Sequence, residues 1–245
     1  MPKARSATNP LKGKIALITG ATQGIGLAIA RALAAEQCHL IICGRNESRL
    51  SKVDAELSRQ KIRVLAIRCD VRDEQSVANM IEAVRKNFQR VDILINNAGI
   101  AHENRPVTQL SPRDWNDVIA TNLTGMFLIT HAALPWMKRG SVIANNLSIA
   151  AKRVFPGSAA YNASKHGALG FTNTLREELR QQGIRVIALL PGATDTAIWD
   201  TLWPEAPRKK MIAPETVARA LVDALKLPEN TAIEEMEVLP AAGTL

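Results

Sequence analysis

Short apolar runs alternate along the chain with longer stretches in which apolar positions recur every three or four residues. The short runs lie at 15–19, 40–43, 64–68, 93–96, 141–145, 185–190 and 237–239. They lack polar alternation, as strands do when helices cover both faces of their sheet. The longer stretches, at 25–36, 47–60, 74–88, 112–137, 159–182 and 214–226, have the period of helices. Repeated β–α alternation predicts an α/β fold built on an open, doubly wound parallel sheet. No linker, repeat or low-complexity tract breaks the pattern. One domain is expected over 12–245, after a flexible polar-basic tail at 1–11.

At 245 residues, 47% apolar and 22% charged, the chain can bury a substantial core. The net charge of +8 raises the question of nucleic acid. However, the basic residues are dispersed, Arg208-Lys209-Lys210 is the single run of three, and aromatics for base stacking make up 4%. No nucleic-acid partner is expected; a surface attracting small anions and a plain solvated face both fit. Cys38, Cys43 and Cys69 are odd in number and lack metal-ligand spacing, so buried reduced thiols are expected. His39, His102, His131 and His166 are isolated, and no metal site is expected. No stretch has a signal-peptide core or approaches a membrane span, so a soluble cytoplasmic chain with no membrane partner is expected.

Candidate chemistry begins with Tyr161 and Lys165, four residues apart on one predicted helix face, with Cβ atoms about 5–6 Å apart. An ammonium beside a phenol favours the phenolate. Free tyrosine titrates near ~10, so acid/base work near neutrality needs a shift of about 3 units. Alone, the pair is weak evidence, because an ordinary helix-surface pair has the same spacing. A second signal is Thr19-Gly20-Ala21-Thr22-Gln23-Gly24-Ile25-Gly26, which joins the first strand to the first helix. Glycines there let backbone N–H groups and the helix N-terminus approach a pyrophosphate. A tight connection is the plainer alternative.

Taken in order with Asp70-Val71, Asn96-Asn97-Ala98-Gly99, Asn122, Ser148 and Pro191-Gly192, these motifs resemble the short-chain dehydrogenase/reductase family from Lys12 to about Leu239. The resemblance implies a Rossmann-type, seven-stranded parallel sheet in the order 3-2-1-4-5-6-7. It also implies a nicotinamide dinucleotide across the carboxyl ends of the strands. Its expected contacts are Gly20, Thr22, Gln23, Gly24, Ile25 and Gly26, then Asn97, Ala98 and Gly99 beneath the adenosine ribose. Asp70, with Val71, would meet the adenine amino group or cap the following helix. Pro191, Gly192, Thr194 and Thr196 would hold the carboxamide, Thr194 through its backbone. The second strand ends Cys43-Gly44-Arg45-Asn46 without the carboxylate that selects NAD in this family. Arg45 can pair with a 2′-phosphate, so NADP(H) is expected over NAD(H), although Gln23 stands where a second basic residue is common. A solvated Arg45 is the alternative.

By the same resemblance, Tyr161 is the general acid/base of a carbonyl/alcohol oxidoreductase. Lys165 lowers its pKa and binds ribose hydroxyls, Ser148 holds the substrate oxygen, and the Asn122 carbonyl holds a water near Lys165. Substrate choice falls to 150–157 and to a loop at about 194–213. There Trp199 and Trp203, with Phe155, form either a lid over a hydrophobic or aromatic carbonyl compound or the packed face of a helix. Arg153 and 208–210 leave an anionic substrate open. Homodimers or homotetramers through 112–137 and 159–182 are expected. The alternative function is a dinucleotide-sensing regulator of the same fold, which would not need Asn122, Ser148, Tyr161 and Lys165 together.

Overall fold

In a computed structural model, which describes residues 9–243, the apolar runs form seven strands. They are β1 (Ile15–Thr19), β2 (His39–Gly44), β3 (Val64–Arg68), β4 (Ile93–Asn96), β5 (Val142–Asn146), β6 (Arg185–Pro191) and β7 (Glu235–Val238). The helices are α1 (Gly24–Ala35), α2 (Glu47–Leu57), α3 (Glu74–Asn87), α4 (Pro112–Ile119), α5 (Gly125–Ala133), α6 (Ala159–Arg180), α7 (Trp199–Leu202) and α8 (Pro214–Leu225). The sheet is parallel throughout and ordered 3-2-1-4-5-6-7. The strand order reverses at β1, so the carboxyl ends of β1 and β4 flank a crevice.

Successive strand residues serve opposite layers, which is why the inner strands carry apolar runs without polar alternation. Ala16, Ile18, Leu40 and Ile42 pack against α1, α2 and α8. Ile15, Leu17, Ile41 and Leu94 pack against α3, α5 and α6. Each fully buried leucine or isoleucine contributes about 1.5–3 kcal/mol relative to exposure. The three cysteines are buried and free, with Cys43 and Cys69 at the carboxyl ends of adjacent strands.

Four differences from the expected elements have physical causes. The stretch 112–137 is not one α-helix: a π-helical turn, Ala120–Thr124, separates α4 from α5, and a 3-10 turn containing Pro135 ends it at Trp136. Strand β7 begins two residues early because it is an edge strand in which exposed Glu235 and Glu237 alternate with half-buried Met236 and Val238. Of the tail expected at 1–11, residues 1–8 lie outside the described residues, whereas Asn9–Leu11 belong to the fold. Leu11 is buried in the α1/α8 layer and the Asn9 amide donates to the Glu36 carbonyl at 2.9 Å. Finally, Pro112–Trp136 is long and apolar enough by length and composition to cross a membrane, which corrects the expectation that nothing approaches a span. Met126, Ile129 and Ala133 among its apolar side chains pack within the core, whereas Phe127 is exposed.

Candidate active site

One cavity of about 680 Å³ runs along the carboxyl ends of the strands. Its floor starts at the turn after β1. Gly20 and Gly24 have φ of 63° and 54°, a left-handed backbone that favours glycine. A side chain at Gly20 would stand 2.9 Å from the Ala98 Cα, and one at Gly26 would run into Asn97 and the Gly20 carbonyl. Gln23 caps α1 without a side-chain hydrogen bond, and the first turn of that helix has no acidic residue. The N-terminus thus keeps free N–H groups and an uncompensated positive dipole end beside the cavity, which suits a phosphate group.

The turn after β4 is fixed from both sides. Thr19 Oγ1 accepts from the Asn97 and Ala98 N–H groups at 2.9 Å, and the Asn97 amide donates to the Thr19 and Gly20 carbonyls at 2.9 and 3.1 Å. Asn96 is structural: its buried amide donates to Thr130 and Asn145. At the β2/β3 end, Arg45, Asn46, Asp70 and Val71 line the cavity. Asn46 caps α2 by accepting from the Arg49 N–H. The capping alternative for Asp70 is overturned, because Asp73 caps α3. The Asp70 carboxylate instead accepts Arg72 Nε and Nη2, at 3.0 and 2.7 Å, and this ion pair holds its pKa below the usual range.

At the centre, Ser148, Tyr161 and Lys165 meet. Lys165 Nζ lies 5.5 Å from the centre of the Tyr161 ring and donates to the Asn146 carbonyl at 3.2 Å. Burial pulls the ammonium down to about 8. Burial also raises the Tyr161 phenol, while its hydrogen bond with Ser148 lowers it. Of these two effects on the phenol, desolvation is the larger. Asn122 does not reach the cavity. From the π-turn its side chain accepts from Ile100 N–H at 2.9 Å, donates to the Ile100 carbonyl at 2.9 Å, and donates to Ser164 Oγ at 3.0 Å. It clamps the chain after β4 to the helix carrying Tyr161 and Lys165. Gly26 likewise stands behind the lining, as a packing glycine.

The opposite wall comes from Phe155, Ile198, Trp199, Leu202 and Trp203, which all line the cavity, with Pro191, Gly192, Thr194 and Thr196 at its base. The Trp199 indole donates to the Thr194 carbonyl at 2.9 Å, and Thr194 Oγ1 donates to the Gly192 carbonyl. The region 194–213 is closed at its base by a bridge between Thr194 and Ile212. Ile198, Trp199, Leu202 and Trp203 therefore face the cavity from a segment pinned at both ends.

The profile of the short chain dehydrogenase family matches residues 14–207. Sulfoacetaldehyde reductase 2 of Chromohalobacter salexigens is 37% identical over 240 residues, covering 92% of this chain and 94% of its own. The chain belongs to the short-chain dehydrogenase/reductase family. Among solved structures, an alcohol dehydrogenase from the archaeon Thermococcus sibiricus, complexed with 5-hydroxy-NADP, has a TM-score of 0.88 at 31% identity, covering 94% of this chain and 97% of that one. A 3-ketoacyl-(acyl-carrier-protein) reductase from Brucella melitensis, complexed with NADH, has a TM-score of 0.85 at 30% identity, covering 94% and 98%. This member of the short-chain dehydrogenase/reductase family is accordingly an NAD(P)-dependent oxidoreductase of the alcohol/carbonyl couple.

Arg49 and Asn104 are among the polar lining residues that the sequence did not mark. Arg49 lines the cavity one turn inside α2 and donates to the Gln23 side-chain oxygen, so a second guanidinium stands by the position that lacks a basic residue. Its spacing of four from Arg45 was the available signal. Asn104 lines the substrate wall; its N–H donates to the Leu202 carbonyl at 3.1 Å and its side chain accepts from Ser158. No motif marked it.

Proposed function

We propose that the protein is an NADP(H)-dependent reductase of uncharged, apolar ketones or aldehydes, with Tyr161 as general acid/base. The observation that carries this reading is the division of charge in the cavity. Among the described residues, its charged lining consists of Arg45, Arg49 and Asp70 at one end and Lys165 at the centre, whereas the Phe155–Trp203 side has none. Two guanidiniums without an acidic residue ending β2 suit a 2′-phosphate, which supports NADP(H) over NAD(H). The Gly20/Gly24 cradle, with Gly26 packing behind it, and the uncapped α1 N-terminus suit the pyrophosphate. When bound, the nicotinamide exchanges a hydride with the carbonyl carbon.

The chain's own groups manage the proton. Ser148 donates to the substrate oxygen and stabilises the charge developing there. Tyr161 delivers its phenolic proton to that oxygen, or removes it in the oxidative direction. The buried phenol resists ionising alone, so it stays a donor until a positive charge arrives beside it. Lys165, held against the Asn146 carbonyl, supplies one such charge and binds ribose hydroxyls. Asp70, oriented by Arg72, accepts from the adenine amino group. The named substrate of the Chromohalobacter relative carries a sulfonate; the apolar substrate end here argues for a neutral compound. We also assign homo-oligomer assembly to the α5/α6 face, where exposed Phe127 stacks on His131 at 5.7 Å and meets Phe171 edge-on at 6.2 Å.

The test follows the loss of reduced-nicotinamide absorbance with NADPH and NADH against neutral aryl ketones, diketones and anionic carbonyls. Tyr161→Phe should lower kcat by about 10³-fold with NADPH binding retained. Replacing Arg45 and Arg49 with alanine should weaken NADPH, not NADH. Cofactor binding without turnover of any carbonyl would instead favour the dinucleotide sensor.

A further inference from the structure

A guanidinium outside the cavity ties the substrate wall together. Arg208 begins a 3-10 turn, Arg208–Lys210, and its side chain reaches back across the segment that follows β6. One terminal nitrogen donates to Asp195 Oδ1 at 2.9 Å and to the Thr196 carbonyl at 2.6 Å, while the other donates to Asp200 on α7. Arg208 does not line the cavity. It faces a second cleft of about 370 Å³ behind Thr196 and Ala197, which Arg31 and Glu215 also line. Thr196 and Ala197 border both spaces, and the Thr196 methyl lies against Gly24 of the phosphate turn.

The held segment needs such a tie. Helix α7 has four residues, too few to be stable alone. Its anchors are the Thr194–Ile212 bridge at the base, the Trp199 indole on the Thr194 carbonyl, and the Asn104 N–H on the Leu202 carbonyl. Arg208 adds the side-chain link between the 195–196 turn and α7. A planar fork spreads five donors over separated nitrogens and reaches acceptors on both sides, whereas an ammonium offers its three donors from one point.

We propose that Arg208 is a positioning residue for substrate affinity: it holds Asp195, the Thr196 carbonyl and Asp200 together and so sets the place of the Trp199–Trp203 face. The proposal rests on the reductase reading above. Arg208 acts through the wall, so it governs KM for the carbonyl compound and leaves the chemical step alone. Asp195 and Asp200 are over half exposed, against 28% for Arg208, so salt should weaken the ionic links and spare the carbonyl link.

The experiment measures kcat, KM and NADPH affinity for Arg208→Ala, Arg208→Lys, Asp200→Asn and the Arg208→Ala/Asp200→Asn double variant, at low and high salt. Arg208→Ala should raise KM for an apolar ketone by about five- to tenfold, with kcat within about twofold. Arg208→Lys should recover part of the loss, and the double variant should be no worse than Arg208→Ala. Salt should raise KM for the parent protein more than for Arg208→Ala. An unchanged KM, or a parallel fall of kcat, NADPH affinity and melting temperature, would overturn the proposal. Hydrogen exchange over 194–203 is read alongside: Arg208→Ala should speed it, and an unchanged rate counts against the tie. If the parent protein turns over no carbonyl, the reductase reading fails while that exchange readout still judges the Arg208 contact.

Discussion

Lys165 is a charge held where water barely reaches. Its side chain is buried, its recorded hydrogen bond is to a neutral carbonyl, and burial alone lowers it from 10.5 to about 8. That shift corresponds to about 3 kcal/mol of destabilisation at neutral pH in the cofactor-free protein. The folded pKa lies below the unfolded one, so between about 8 and 10.5 the unfolded chain holds a proton that the folded chain lacks. Stability therefore rises with pH across that window. Lys165→Met should be inactive yet unfold at higher denaturant than the parent at pH 7. Its advantage should shrink as pH rises from about 8 towards 10.5. Urea melts of both proteins at several pH values check this, and a less stable variant at pH 7 would refute it. The pairing of Tyr161 with Lys165 was legible because helical spacing identifies neighbours. The burial of both groups was not, because spacing carries no information about depth below the surface.

At the scale of elements, the π-turn Ala120–Thr124 was the feature least visible in sequence. One extra residue in a turn displaces the apolar phase too little to show inside a long apolar helix. Its effect on the site is large, because it aims the Asn122 side chain across to the chain after β4. Asn122→Ala would leave the Ile100 N–H and carbonyl without these partners in a half-buried place beside the cavity. The expected cost is about 2–3 kcal/mol in a denaturant melt, with a loss below about 1 kcal/mol contradicting the clamp role. Motif order located Asn122 and Gly26 correctly within the site region, yet both stand behind the cavity lining. A motif records which residues the arrangement needs, and packing needs are mixed with contact needs. The edge strand β7 illustrates the converse: its exposed glutamates broke the apolar run by which inner strands are found.

For the whole molecule, β–α alternation made an open parallel sheet legible, while the strand order and the place of the crevice came from the resemblance of the ordered motifs to the family. What the surface does was less so. Phe127 is 47% exposed on α5 and sits in an aromatic group with His131 and Phe171. Phe127→Asp should turn an oligomer into monomers by light scattering while leaving the far-ultraviolet circular dichroism unchanged. A parent protein that is already monomeric at micromolar concentration would remove this assignment.

The cavity also has a bearing on how such a protein can diversify. Its two ends are built by different parts of the chain, the charged end by turns after β1, β2 and β3, the apolar end by Phe155 and the Ile198–Trp203 side. Substitutions at Phe155, Ile198, Leu202 or Trp203 leave the glycine cradle and both arginines untouched. New substrate preferences are therefore within reach of a few point mutations, without passing through ancestors that have lost their dinucleotide.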